Sequence, residues 1–112
     1  MIIGQNTTNK LNIPLKLFFS DINWNNINKI VIIFGTDKNT VQKRWDAFDK
    51  INSTMDYNRT NASLLVTLSQ AETKQWNYQI PIQIRIKTKD GTVTNSKIFY
   101  GYINPCLSNE EL

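Results

Sequence analysis

The sequence predicts a single all-β domain, an antiparallel β-sandwich of seven or eight strands with one short helix. Apolar residues alternate with polar ones in three separate segments, a spacing that is typical of strands with one buried face. A helix-capping motif and an Asp-Gly turn punctuate the second half of the chain. The length of 112 residues suits one hydrophobic core, and a hydrophobic fraction of 40% is ordinary for a globular domain.

The first half of the chain predicts three strands and a weaker fourth. The alternation from Leu11 to Phe19 indicates a half-buried strand, and Pro14, which has no backbone N–H, places it at a sheet edge. The β-branched run from Ile30 to Phe34 predicts a central strand that is buried on both faces. Alternation from Val41 to Trp45 indicates a third strand. A short strand around Ile51 to Met55 is the weaker expectation.

The one predicted helix follows a strand from Ser63 to Leu68. Ser69 and Glu72 have the spacing of a capping box, in which a serine hydroxyl and a glutamate carboxylate each bind the other residue's backbone N–H. We therefore expect one or two helical turns from Gln70 to about Trp76.

The remainder of the chain predicts a β-hairpin. Isoleucines alternate with polar residues from Ile80 to Ile86, and Asp90-Gly91 suits a turn with positive φ. A single return strand is expected from Thr92 to about Ile103. We divide the chain into an N-terminal arm at 1–10, a sandwich domain at 11–104 and a C-terminal tail at 105–112.

Composition argues against several classes of function. The chain has no histidine, the commonest general base and metal ligand, and a single cysteine cannot form an internal disulfide or a thiolate zinc site. Its four glycines are isolated, so no glycine-rich phosphate loop is present. We therefore expect no enzymatic activity, no cofactor and no bound metal.

A group of acidic residues in the weaker middle segment leaves three interpretations open. Two of the three residues Asp46, Asp49 and Asp56 could form a glycosidase pair, or Asp46 and Asp49 could form a calcium site with neighbouring asparagines. Their spacing lacks the glycine-centred pattern of a calcium loop. The interpretation that we favour is a solvated loop without chemistry of its own.

The chain has a formal net charge of +4, but its cations are scattered. The closest approach to a stripe is Arg85, Lys87 and Lys89, which alternation places on one face of a strand. We interpret this as a solvated face, with a phosphate-binding stripe as the alternative, and do not expect nucleic-acid binding. No apolar run approaches the roughly 18 residues that span a bilayer, so no membrane association is expected.

The aromatic residues offer a candidate sugar site. Trp45 and Phe48 lie close in sequence to the carboxylates of Asp46 and Asp49, and aromatic rings can stack on the apolar faces of sugars. In a small sandwich, however, most aromatic side chains fill the core or contact cross-strand neighbours. The four residues are therefore the candidate glycan-binding set, with core packing as the alternative.

The order of motifs in residues 63–103 is distinctive. A strand leads into LSQAETKQW, and YQIPIQIRIKTKDGTVTNSKIFYGYI then supplies a strand, an Asp-Gly hairpin and a last strand. This order is similar to the amino-terminal domain of baseplate upper proteins and related tail accessory proteins, from phages and prophages of Gram-positive bacteria. The matching residues are Leu68, Ser69, Gln70, Glu72, Thr73, Gln83, Arg85, Asp90 and Gly91.

The resemblance implies an immunoglobulin-like sandwich that serves as a structural component of a virion. Its location would be the baseplate, tail, collar or head decoration of a phage particle, after synthesis in the host cytoplasm. Its partners would be other phage structural proteins and further copies of itself in a symmetric assembly. The alternative function is a carbohydrate-binding β-sandwich module.

The two ends of the chain are the candidate partner-binding segments. Met1, Ile2 and Ile3 are separated from the first predicted strand by polar residues, and Leu107 and Leu112 follow the last one. Apolar residues on arms are unfavourable in water unless another surface covers them. We predict that a partner does so, and the alternative is that the arms fold back onto their own domain. We also expect Cys106 to be a buried or half-buried small residue.

Overall fold

The structure, a computed structural model, describes residues 1–35, 40–48 and 54–112. It confirms the predicted all-β sandwich with one short helix, α1 at Gln70–Lys74, and a 3₁₀ turn at Leu15–Leu17. The described residues form nine strands rather than seven or eight: β1 Ile2–Gly4, β2 Asn9–Pro14, β3 Ile27–Phe34, β4 Val41–Asp46, β5 Met55–Asn58, β6 Ser63–Leu68, β7 Gln79–Thr88, β8 Val93–Asn95 and β9 Phe99–Asn104.

The strands form two sheets of unequal width. The large sheet has six strands in the order β1-β9-β7-β3-β4, with β8 also paired to β7, and the small sheet has three in the order β2-β6-β5. This order is that of an immunoglobulin-like sandwich: β2, β6 and β5 correspond to strands B, E and D, and β3, β7 and β9 to strands C, F and G. Strand β4 extends the large sheet as an additional strand does in variable-type domains.

The N-terminal residues belong to the sandwich, which corrects the predicted arm at 1–10. Strand β1 pairs in parallel with β9, with Ile2 opposite Tyr102 and Ile3 opposite Ile103, so the sandwich is not wholly antiparallel. The side chain of Ile3 is completely buried in the core, whereas Ile2 on the opposite face is 73% exposed. Ile3 is therefore a core residue, although the polar residues that follow it in the sequence did not indicate this.

The first predicted strand is correct in position but too long. Strand β2 lies at the edge of the small sheet, as Pro14 predicts, and it ends at that residue. The chain then turns, and the backbone N–H of Leu15 donates a hydrogen bond to the carbonyl oxygen of Ala62 at 2.9 Å. Leu15 remains buried while Leu17 is exposed. The apolar alternation past Pro14 thus belongs to a turn.

Strand β3 lies in the centre of the large sheet, between β4 and β7, but only one of its faces is fully buried. Ile30, Ile32 and Phe34 point into the core, while Val31 and Ile33 are half-buried on the outer face. Trp76, which follows α1, stacks on the ring of Phe34 with centroids 5.8 Å apart. The prediction of burial on both faces is therefore wrong, because no strand or helix in the described part of the chain covers the outer side.

The predicted capping box is confirmed at α1. The hydroxyl of Ser69 accepts a hydrogen bond from the Glu72 backbone N–H at 3.1 Å, and the Ser69 backbone N–H donates to Glu72 Oε1 at 2.8 Å. Lys43, on the inner side of β4, also forms an ion pair with this carboxylate, with Nζ 2.8 Å from Oε2. Glu72 therefore both caps the helix and binds it to the edge of the large sheet.

The predicted Asp-Gly hairpin is confirmed, but the return strand is interrupted. Gly91 has a φ of +91°, and the carboxylate of Asp90 accepts a hydrogen bond from the Thr92 backbone N–H at 3.0 Å. Between β8 and β9, the buried hydroxyl of Ser96 accepts a hydrogen bond from the Ile84 backbone N–H at 2.9 Å. A side-chain oxygen thus takes the place of a backbone carbonyl in the ladder, which explains the break.

The C-terminal tail lies against the turn that follows β1. The amide of Asn6 donates hydrogen bonds to the carbonyl oxygens of Ser108 and Glu110, at 3.1 and 2.9 Å. The Cys106 backbone N–H donates to Gln5 Oε1 at 2.9 Å, and Cys106 is exposed rather than buried as predicted. The tail is therefore held through its backbone, and its side chains face solvent.

We predict that Ile3→Ala lowers the free energy of unfolding by about 2–4 kcal/mol, because it opens a cavity in the core. The neighbouring Ile2→Ala is the matched control on the same strand, and an exposed position of this kind changes stability by about 0.5 kcal/mol or less. Urea unfolding measures both. Equal effects of the two substitutions would contradict the burial of β1.

A second prediction concerns pH. Burial raises the pKa of Glu72, but hydrogen bonds from Lys43 and Ser69 and the charge of Lys43 outweigh it, so the pKa lies below its ordinary value of 4.5. A pKa below the ordinary value means that the ionised Glu72 carboxylate stabilises the folded state. This stabilisation is complete above pH 4.5 and disappears as the pH falls through the folded-state pKa.

We expect Glu72→Gln to lower the free energy of unfolding at pH 7 by about 1 kcal/mol and to match the parent protein in acid. Urea unfolding across pH 2 to 7 measures this difference in the free energy of unfolding. In Lys43→Met, the free energy of unfolding should depend less strongly on pH than it does in the parent protein. A Glu72→Gln variant that is destabilised equally at every pH would contradict the role of this carboxylate charge.

Candidate functional site

An open cleft of about 390 Å³ lies at one end of the sandwich. At this end β3 begins and β4 and β7 finish, so their flanking residues come together. We call it the aromatic cleft. Its functional lining consists of four aromatic side chains and two cations: Trp24, Trp45, Phe48, Tyr57, Arg59 and Lys89.

Two rings from different sheets form the inner wall. Trp45 lies on the core-facing side of β4, and its ring meets that of Tyr57 on β5, with centroids 5.1 Å apart and planes inclined at 64°. The Tyr57 hydroxyl donates a hydrogen bond to the Trp24 carbonyl oxygen at 2.7 Å. Burial raises the pKa of Tyr57, an effect that the nearby charge of Arg59 partly offsets. This hydroxyl therefore keeps its proton at neutral pH.

The loop before β3 completes the wall. The Trp24 ring contacts the edge of the Phe19 ring at a centroid distance of 6.3 Å, so its inner side rests on the core. The Lys89 backbone N–H, in the β7–β8 turn, donates to the Asn26 carbonyl oxygen at 2.8 Å. Hydrogen bonds from both sheets thus hold the loop in place.

Phe48 supplies an exposed rim. Its side chain is 81% exposed, and its backbone N–H donates to Asp46 Oδ1 at 3.0 Å in a tight turn. Asp46 Oδ2 also lies 3.8 Å from Lys29 Nζ. The carboxylate of Asp46 therefore positions Phe48 and does not line the cleft.

The cleft agrees only in part with the predicted glycan-binding set. Trp45 and Phe48 come together there, Asp46 lies behind the rim, and Asp49 is outside the described residues. The weaker strand predicted around Ile51 to Met55 also falls mostly outside them, and β5 starts at Met55. The sequence did not group the other four aromatic and charged lining residues with this set, because only the pairing of distant strands brings them together: Trp24, Tyr57, Arg59 and Lys89.

The charge at the cleft is positive. Arg59 and Lys89 are exposed, and neither side chain forms an ion pair or a hydrogen bond with another described residue. No described carboxylate lines the cavity. The two cations are therefore available to a ligand.

A second candidate surface covers the outer face of the large sheet. We define the outer strip by Ile2, Tyr100, Tyr102, Pro81 and Ile98. Ile2 lies opposite Tyr102, and Tyr100 lies opposite Pro81, so these side chains share the face that points away from the core. Ile98 and Pro81 also line a shallow groove of about 130 Å³. The strip is apolar and crosses three strands of the sheet.

Cations cluster on another part of this outer face. Lys29 pairs with Lys87 across β3 and β7, while Arg85 and Arg44 flank Val31 on either side. Arg85 Nε donates to Asn95 Oδ1 at 2.8 Å. Four cations therefore share the face with one carboxylate, that of Asp46 beside Lys29: Lys29, Arg44, Arg85 and Lys87. The sequence predicted that Arg85, Lys87 and Lys89 lie on one face of a strand. Lys89 does not lie on this face but lines the aromatic cleft.

The carboxylates that the sequence singles out do not form one site in the described part of the chain. Asp46 is on the large sheet, Asp56 is on the small sheet, and Asp49 lies outside the described residues. No group of three potential metal ligands occurs in residues 1–35, 40–48 and 54–112. Within the same ranges, the only α-helix has five residues and is too short to cross a membrane.

Comparisons with known proteins supply no relative: no protein family, no curated protein and no solved structure matches this chain. Functional inference therefore depends on the two surfaces described above and on the motif resemblance.

We predict that Tyr57→Phe lowers the free energy of unfolding by about 1 kcal/mol, because the Trp24 carbonyl oxygen loses its donor in a half-buried position. Tyr78→Phe is the matched control, since that side chain is 89% exposed. Thermal or urea unfolding measures both variants. A Tyr57→Phe protein as stable as the parent would show that this hydrogen bond does not hold the cleft together.

Proposed function

We propose that the protein is a non-catalytic structural component of a bacteriophage virion, acting by self-association and by docking to other phage proteins. The resemblance of residues 63–103 to baseplate upper proteins supports the class. Two complementary surfaces on one chain support the proposed docking: the C-terminal tail and the outer face of the large sheet.

The tail has the chemistry of a docking segment. Leu107 and Leu112 are fully exposed, and Glu110 and Glu111 give residues 105–112 two negative charges with no compensating cation. Only backbone groups of the tail bind the domain at Asn6 and Gln5. Its side chains are consequently free to engage another molecule.

The outer face of the large sheet has matching properties. The outer strip can cover leucine side chains, and the adjoining cations can pair with the glutamates. We therefore assign the tail of one copy to the outer face of the next. Such a contact joins two different surfaces, so repeating it generates a ring when the rotation closes.

The weakness of a single tail contact favours closure into a ring. Complete burial of two leucines contributes about 3–6 kcal/mol, which is comparable to the cost of fixing one molecule on another. A single contact is consequently weak. In a closed ring each copy is held by two neighbours, which suits a protein that is needed in many copies at one place on a particle.

We expect the purified protein to form oligomers as its concentration rises, because each copy offers both halves of the contact. The double variant Leu107→Ser/Leu112→Ser should shift the midpoint of association at least about tenfold higher, since each buried leucine contributes more than 1.4 kcal/mol. Sedimentation velocity or light scattering measures this. Leu65→Ser is the control, because that exposed leucine lies on the small sheet.

Charge reversal tests the assigned face. Glu110→Lys/Glu111→Lys should weaken association, and the combination with Arg44→Glu/Arg85→Glu should restore it. A protein that stays monomeric at millimolar concentration, or equal effects of the tail variant and Leu65→Ser, would overturn the self-association. Mass spectrometry of gradient-purified phage particles tests the virion role, which fails if the protein is absent from them.

The aromatic cleft favours a second candidate function, carbohydrate binding. An exposed ring at the rim and two rings in the wall provide apolar faces on which a sugar can stack. This function is compatible with the first one, because the cleft lies at one end of the sandwich and the outer strip lies on a sheet face.

A further inference from the structure

We infer that the aromatic cleft binds anionic saccharides, sugar rings that carry a phosphate or a carboxylate group. The inference rests on the second proposed function and names its ligand class. It differs from the glycan site predicted from the sequence, in which two aspartates would have faced the sugar.

The dimensions of the cleft suit a small ligand. A cavity of about 390 Å³ lies within the range of about 300–1,000 Å³ that is usual for small-molecule sites. Phe48 is exposed at the rim and Trp24 and Trp45 line the wall, so a sugar ring in the cleft has aromatic carbon to contact. This arrangement supplies the contact area.

The cations decide the charge of the ligand. Arg59 and Lys89 face the cavity without an ion pair or a hydrogen bond to another described residue. A neutral sugar would leave both charges without a partner. A phosphate or carboxylate group gains charge-assisted hydrogen bonds from them, and an arginine side chain can make two such bonds to one anion.

The site is also preorganised. The Tyr57 hydroxyl joins the small sheet to Trp24, and the Lys89 backbone N–H joins the β7–β8 turn to Asn26. Binding therefore requires little rearrangement of the wall, and the side chains that must become ordered are those of Phe48, Arg59 and Lys89.

The cleft suits a single sugar better than a nucleic-acid strand. Its inner rings, those of Trp45 and Tyr57, contact each other at an angle of 64°, so this pair leaves no slot between parallel faces for a flat base. A single-stranded nucleic acid would also need a groove of cations along its backbone, whereas the cleft offers two. A compact sugar with one anionic group matches that charge.

The three tryptophans make a nuclear magnetic resonance experiment decisive. Trp24 and Trp45 line the cleft, whereas Trp76 is buried against Phe34 and serves as an internal control. The indole N–H signals of the ¹⁵N-labelled full chain would be followed during titration with glucose, glucuronate, glucose 6-phosphate and inorganic phosphate.

We expect glucuronate and glucose 6-phosphate to shift the signals of Trp24 and Trp45 but not that of Trp76. Glucose should bind at least about tenfold more weakly, because it cannot use the charge of Arg59 and Lys89. Arg59→Gln and Lys89→Gln should each reduce the affinity for both anionic sugars by a larger factor than the affinity for glucose. Lys10→Gln, on the small sheet, is the matched control.

Phe48→Ala tests the stacking half of the site. Because this side chain is exposed, the substitution leaves the fold intact, and it should weaken the binding of all three sugars. Equal affinity for glucose and the anionic sugars would overturn the anionic ligand class while the carbohydrate-binding function stands. No binding of any sugar would overturn both. Inorganic phosphate or a nucleoside monophosphate that binds more tightly than glucose 6-phosphate would overturn the saccharide assignment.

Discussion

The constraint on which the rest of this structure depends is the unequal width of its two sheets. A sheet of six strands faces one of three, and the core-facing side of β4 lies at the edge of the large sheet, beside β5 of the small one. Other groups cover this side: the helix reaches β4 through the ion pair of Glu72 with Lys43, and Tyr57 leans against Trp45. The aliphatic part of the Lys43 side chain can cover the apolar surface of β4, because its ammonium group is paired with Glu72.

The same mismatch accounts for the aromatic cleft. Tyr57 belongs to the small sheet and Trp45 to the large one, and their rings meet at an angle rather than interdigitating as aliphatic side chains do in the centre of the core. Space remains in front of them. The chain lines it with cations from the loop after β5 and the β7–β8 turn, which places a charged opening at one end of an otherwise close-packed domain.

Local signals in the sequence predicted local structure well. The capping box at Ser69, the Asp-Gly turn and the alternation of β7 involve residues that are adjacent or nearly adjacent in the chain, and the structure confirms all three. The errors concern distant contacts. Burial of Ile3 requires β9, and the break at Ser96 requires the backbone of β7. The cleft requires both sheets, so the sequence grouped only the two aromatic lining residues that are nearest one another in the chain, Trp45 and Phe48.

The pairing of β1 with β9 has a consequence for how the chain folds. Residues 2–4 complete the sheet only after residues 99–104 have been synthesised, so β1 is made long before the strand that it pairs with. Contacts of such high sequence separation slow folding. Until β1 docks, β9 presents an unpaired edge, and the β1 strand of an adjacent copy is chemically identical to its own. At high protein concentration this identity favours exchange of the strand between molecules, a route to domain-swapped dimers.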